Sequence, residues 1–320
     1  MKQLQILAPG KVVWHDVPTP EPAPGEVLVK VQMVNTCPHW DMHLLDGIPM
    51  FAGGTINYPY TGGQPGHEAV GEVVALGEGV CDLAPGARVA CWKDAGHHRP
   101  GCYAQYVCMA REHVLQLPDN VTWEQACSLE LAMCVQVSAE QLLRNNFLVG
   151  KRIGISGLGP AGLVAVQLVK AQGAASVVGV DPVAERREMA QRDGADVVVE
   201  PSAEAWEKAV SGRVDATIDC TGLKVSIEFM LERTARAVCI FGVLRETVEF
   251  KAAYWGGRSL FGYEPHNVAA AQRCLDLIAE GKLDLSGLIS AKLPFTRYNE
   301  GIEMLKRKEA TKICFLPWAE

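Results

Sequence analysis

Apolar and polar positions alternate in two distinct textures along the chain. Over residues 1–135, β-branched runs such as "EVLVKVQMV" and "HEAVGEVVALGEGV" end at turn signals such as "APGEV" and "APGARV". Turns at such short intervals predict a barrel-like β region rather than a parallel sheet. Near residue 150 the texture changes. The strand candidates "RIGIS", "SVVGV", "DVVV", "VDATID", "RAVCIFGV" and "SLFGY" alternate with helical stretches such as "AGLVAVQLVKAQ", "VAERREMAQR" and "VSIEFMLERT". Six strands joined by crossover helices predict a doubly wound parallel sheet. Beyond the helix "NVAAAQRCLDLIAEG", the tail "LISAKLPFTRYNEGIEMLKRKEATKICFLPW" reads strand–helix–strand and does not continue that sheet.

A chain of 320 residues is long for one core, so two domains are expected. A net charge of -7 without any basic run argues against nucleic acid and anionic membrane surfaces as partners. The N-terminal stretch "MKQLQILAPGKVVWHDVP" lacks the apolar core of a signal peptide, and no run reaches bilayer length. The expected location is therefore cytoplasmic. Eleven cysteines, an odd number without an export signal, fit reduced thiols and metal ligands better than a disulfide framework.

"RIGISGLGPAGLVAVQLVKAQG" carries Gly157, Gly159 and Gly162 in G-x-G-x-x-G spacing, after a predicted strand and at the start of a helix. The first two glycines allow a tight turn and close approach of a pyrophosphate, and the third lets helix and strand pack closely. Leu158 and Pro160 complete the turn, which offers helix N–H groups to phosphates. Asp181, at the end of "VVGVD", can accept hydrogen bonds from the adenosine ribose and would repel a 2′-phosphate, which favours NAD. Arg186 lies along the ribose or is an exposed helix arginine. Thr221, just beyond "VDATID", and Val243, at the end of "RAVCIFGV", join the cofactor candidates.

A dinucleotide domain preceded by "CPHWDMH" and "GHEAVGEVV" resembles the zinc-dependent medium-chain dehydrogenase/reductase family, which includes alcohol and polyol dehydrogenases. The resemblance runs from "PGEVLVKV" through "LPDNVTWEQA" to the tail. It implies an α/β architecture: a GroES-like catalytic domain of residues 1–139 and 286–320, and an inserted Rossmann NAD-binding domain of residues 140–285. It also implies one catalytic zinc held by Cys37, His67 and a later residue, for which Glu130 is preferred over Cys134. Thiolate, imidazole and carboxylate leave a fourth position for substrate oxygen.

Glu68 resembles the acid that approaches such a zinc from outside its ligand set, or else it is a salt-bridge residue. The family pattern runs Cys, one residue, Ser or Thr, Asp. Here His39 takes the hydroxyl position and an extra residue precedes Asp41. With that insertion His43 falls where the family's proton-relay histidine would be, and Asp41 is expected to orient His67. His39 is a candidate to replace the hydroxyl in proton transfer, to bind zinc or to pack on substrate. Cys91, His97, His98, Cys102 and Cys108 lack the paired spacing of the family's structural zinc lobe, and a second zinc is not expected.

The function expected is interconversion of an alcohol and an aldehyde or ketone with NAD, on a small-molecule substrate, by a homo-dimer or homo-tetramer. The alternatives are a zinc-free NAD(P)H quinone or enoyl reductase of the same fold and a non-enzymatic cofactor-binding protein.

Overall fold

The computed structural model describes residues 1–92 and 99–319. In chain order the first elements are β1 (Lys2–Ala8), β2 (Lys11–Asp16), β3 (Glu26–Asn35), α1 (Pro38–Asp46), β4 (Glu68–Leu76), β5 (Arg88–Trp92), β6 (Tyr106–Ala110), β7 (Val114–Gln116), α2 (Trp123–Ala126) and α3 (Leu129–Arg144). Then follow β8 (Arg152–Ser156), α4 (Pro160–Ala171), β9 (Ser176–Val180), α5 (Ala184–Arg192), β10 (Val197–Val199), α6 (Ala203–Ala209), β11 (Val214–Asp219) and α7 (Lys224–Arg233). The last are β12 (Thr234–Ile240), β13 (Ser259–Phe261), α8 (Val268–Ala279), β14 (Ile289–Pro294), α9 (Tyr298–Lys306) and β15 (Lys312–Leu316).

The chain forms two compact units, residues 1–130 with 284–320 and residues 131–283. The seam expected after residue 139 instead lies inside α3, between Glu130 and Leu131, and the second seam precedes Asp284.

In the first unit a seven-stranded sheet runs β14-β15-β3-β4-β5-β7, with β6 also paired to β3, beside a β1-β2 ribbon. Strand β3 is its hub. Seven of the ten residues of β3 are buried, and the strand pairs antiparallel with β4, β6 and β15. The foreign-looking tail therefore closes this sheet rather than extending the parallel one. Val27, Val29, Val31, Tyr103, Tyr298 and Phe315 are part of one buried cluster, so both ends of the chain share a core.

Helix α1 starts directly beyond β3. Pro38 fits its first turn, where an N–H would find no partner, and Gly47 in the left-handed region stops it. Asp41, Leu44 and Leu45 form its buried face at helical spacing. Cys37 is its N-cap residue.

The second unit contains a six-stranded sheet, β10-β9-β8-β11-β12-β13, with every pairing parallel. This is the doubly wound order, in which ligands bind at the carboxyl ends of strands where the winding reverses, between β8 and β11.

Candidate metal centre and dinucleotide turn

The Cys37 thiol, a His67 ring nitrogen and a Glu68 carboxylate oxygen lie within 4.8 Å of one another. Glu130 Oε2 stands 3.7 Å from His67 Nε2. The other ring nitrogen, Nδ1, is 2.6 Å from the Pro65 carbonyl. That contact assigns a proton to Nδ1 and turns Nε2 toward the acids. Burial alone would lower the His67 pKa, but Glu130, Cys37 and Glu68 outweigh it and hold it at about 10. Thiol, imidazole and carboxylate at this spacing could hold a metal ion, and they are the donor types that zinc takes.

Glu68 lies beside Cys37 and His67, and it is a salt-bridge residue. Lys312 Nζ lies 2.5 Å from Oε1 and 2.7 Å from Oε2. Both side chains are almost wholly buried, and Lys312 also donates to the Thr36 carbonyl at 2.7 Å. Burial raises the Glu68 pKa, while the lysine ammonium pulls it back.

Asp41 sits elsewhere than expected. Its carboxylate makes no hydrogen bond to His67, because the Pro65 carbonyl takes Nδ1 and the inward face of α1 turns Asp41 toward two tyrosines. It accepts from Tyr298 Oη at 2.6 Å, from Tyr103 Oη at 2.9 and 3.0 Å, and from the Cys37 amide at 2.9 Å. Burial pushes its pKa up to about 6 against those hydrogen bonds. Asp41 thus holds the Cys37 backbone rather than the imidazole.

His39 and His43, one turn apart on α1, bring their rings to 4.2 Å between centroids, tilted by 54°. His39 is exposed and His43 half-buried. Cys134, one turn beyond Glu130 on α3, is buried and belongs to the second unit. Cys91 and Cys102 are core residues of the first unit and Cys108 is half-buried. His97 and His98 lie outside the described residues.

The dinucleotide motif forms a turn between β8 and α4. Gly157 has φ +81°, and a Cβ on Gly162 would lie 1.8 Å from the Gly157 carbonyl oxygen, so that glycine permits the helix–strand contact. Gly159 is the N-cap residue of α4, followed by Pro160. A Cβ on Gly159 would meet nothing within 4 Å, which leaves an open cradle at the helix N-terminus. The Leu158 side chain is fully buried, so only its backbone faces this turn.

Asp181 Oδ2 accepts from the Leu158 amide at 2.7 Å and Oδ1 from the Val183 amide at 2.8 Å. Arg186 Nη1 approaches Oδ2 at 3.9 Å. Thr221 follows β11, with its hydroxyl 2.7 Å from Asp219 Oδ1. Val243 follows β12, where its carbonyl lies against Gly222. Turn glycines, Asp181, Thr221 and Val243 thus all stand at the carboxyl ends of the parallel strands.

The sequence alone does not point to Lys312, Tyr103, Tyr298 or the Pro65 carbonyl. One signal was available for the first: a lysine inside the apolar strand "KICFL" is almost fully buried and so requires an anionic partner.

A zinc-type dehydrogenase built from a GroES-like unit and a Rossmann unit is the class that this fold and its clusters define. The alcohol dehydrogenase GroES-like domain matches residues 23–119 and the zinc-binding dehydrogenase domain residues 160–263. Sheep sorbitol dehydrogenase is 32% identical over 255 residues, covering 70% of each chain. The alcohol dehydrogenase of Geobacillus stearothermophilus is 29% identical over 306 residues, 84% of this chain and 86% of that one. Among solved structures, 2R,3R-butanediol dehydrogenase from Bacillus subtilis superposes with a TM-score of 0.83 at 25% identity over 99% of both chains. A chain assigned as a zinc-binding dehydrogenase from Sinorhizobium meliloti 1021, solved with NADP, gives 0.86 at 26% identity, also over 99% of both. The protein belongs to the zinc-dependent medium-chain dehydrogenase/reductase family, on its alcohol and polyol dehydrogenase branch. It is an oxidoreductase of that family.

Proposed function

We propose that the protein interconverts an alcohol and an aldehyde or ketone with NAD and one zinc ion. The observation that carries this reading is the meeting of Cys37, His67 and Glu68 within 4.8 Å of one another, with Glu130 3.7 Å from His67. Cys37, His67 and Glu130 would hold the ion, while Lys312 keeps Glu68 engaged beside them. Zinc held there supplies a Lewis acid that acidifies an alcohol or polarises a carbonyl. NAD supplies the hydride acceptor, and the turn at Gly157–Gly162 would receive its pyrophosphate. Asp181 would take the adenosine ribose, and its charge, which repels a 2′-phosphate, favours NAD over the NADP with which one similar chain was solved. His39 and His43 are the side chains offered for carrying the substrate's proton to solvent. Among the described residues no helix is long and apolar enough to cross a membrane. A cytoplasmic homo-dimer or homo-tetramer belongs to the same proposal and rests on the family likeness.

Elemental analysis of the purified protein, with an alcohol and carbonyl panel under NAD and NADP, tests it. Expected are one zinc per chain, turnover with NAD, and loss of both in Cys37→Ser. Turnover without bound metal would favour the zinc-free quinone or enoyl reductase. NAD binding without turnover would favour a non-enzymatic protein.

A further inference from the structure

Trp40 immediately precedes Asp41, where the family pattern leaves one residue too many. Its indole meets the His67 imidazole edge-on, with 5.6 Å between centroids and 62° between planes. Phe51 meets the indole in turn, at 6.2 Å and 90°. These are the edge-to-face arrangements that aromatic quadrupoles favour. A metal ligand, an indole and a phenyl ring thus form one contiguous line within the first unit.

Two details give the line its chemistry. Trp40 Nε1 is shut off from solvent, so whatever part of the indole stays open is hydrocarbon. Phe51 is 58% exposed, an apolar ring held in water on the far side of Trp40 from His67. Successive helical residues point about 100° apart, so His39 presents its imidazole on a different face of α1 from Trp40.

We infer that Trp40 and Phe51 form a hydrocarbon wall that selects an alcohol or ketone bearing an apolar or aromatic substituent over a polyol. The inference rests on the alcohol oxidoreductase reading and specifies its substrate class. A phenyl or branched alkyl group packed on the two rings would remove them from water. A hydroxyl on the neighbouring carbon of a polyol would face carbon there and lose its hydrogen bonds, a mismatch that costs about tenfold or more in selectivity.

The test compares kcat/KM for 1-phenylethanol and 2,3-butanediol on the zinc-loaded enzyme and on Trp40→Ala, Trp40→Phe and Phe51→Ala. Wild type is expected to favour 1-phenylethanol by about tenfold or more. Trp40→Ala and Phe51→Ala should each lower that ratio by roughly tenfold, chiefly through KM for the aryl alcohol, and Trp40→Phe should keep it within about threefold. Preference for the diol, or equal losses on both substrates, would overturn the inference, because support of His67 alone moves both alike. Phe51, more than half exposed, can be truncated without emptying the core, so its variant decides if Trp40→Ala does not fold. A wild-type enzyme inert to both alcohols would sink the oxidoreductase reading instead. Acetophenone binding, followed by ligand-observed NMR, then judges the wall: loss of binding in Phe51→Ala supports it, and no binding to wild type overturns it.

Discussion

Asp181 carries two duties with one carboxylate. Each oxygen already accepts a backbone amide, Leu158 on the glycine turn and Val183 beyond β9, and each retains capacity for a ribose hydroxyl. The group therefore shapes the turn as well as reading the coenzyme. We expect Asp181→Ala to raise KM for NAD by roughly tenfold and to lower the NAD-to-NADP ratio of kcat/KM by a similar factor. Steady-state kinetics with both coenzymes check this, and an unchanged ratio would contradict the role given to the carboxylate.

At this scale, legibility in the sequence followed distance along the chain. Cys37 and His67 lie in short segments whose neighbours announce them, and Asp181 closes an apolar strand. Lys312 and Tyr298 meet their partners 244 and 257 residues away, a separation no local pattern encodes. Asp41 likewise finds its tyrosine partners in distant segments, at Tyr103 and Tyr298.

Elements were legible where burial is continuous. The runs "RIGIS" and "SVVGV" coincide with β8 and β9, because strands covered on both faces are apolar throughout. Helix α6 was not anticipated: in AEAWEKA only Trp206 is buried, which leaves no periodic stripe to read. The expected strand "RAVCIFGV" ends early, at Ile240. There the backbone leaves the sheet so that Gly242 can meet Gly222, whose nitrogen would lie 2.0 Å from a Cβ on Gly242.

The glycine turn separates folding from binding. Gly162→Ala should destabilise the protein by about 1–3 kcal/mol, since its methyl would strike the Gly157 carbonyl and force backbone apart. Gly159→Ala, with open space around it, should keep the melting temperature but weaken NADH binding by about tenfold. Differential scanning fluorimetry and an NADH titration read the two effects. Equal melting losses would refute the division.

Asp196 ties α4 to β9 in the same unit. It accepts from the Val177 amide at 2.7 Å and pairs with Lys170 at 3.0 Å. Partial burial pushes its pKa up, but that amide and the lysine outweigh it and hold it below 3.8. A depressed carboxylate stabilises above its unfolded pKa, and the contribution disappears as pH falls through the folded value. Asp196→Asn should therefore cost about 1 kcal/mol at neutral pH, a modest figure because the pair is solvent-screened. The gap to wild type in urea titrations should stay level down to about pH 4 and close below it. A gap that widens in acid would reverse the sign argued here.

The whole molecule depends on the first unit being assembled from both ends of the chain. Lys312 in β15 is the clearest case: a nearly fully buried ammonium that donates to both Glu68 oxygens and to the Thr36 carbonyl. In one residue it links the last strand, the backbone just beyond β3 and the acid beside the proposed zinc ligands. Lys312→Met would fill the space but leave Glu68 buried without its counter-charge, a loss of about 3–5 kcal/mol. Typical domains hold only about 5–15 kcal/mol in total. The first unit should then unfold at clearly lower urea than wild type and lose zinc, while the dinucleotide turn, built wholly from residues 131–283, still binds NADH. Adding Glu68→Leu should recover part of the stability, because the pair is then replaced by apolar side chains. Zinc content, urea midpoints and NADH titrations on the three proteins check this. A single variant as stable as wild type would mean that the buried pair does not anchor the tail.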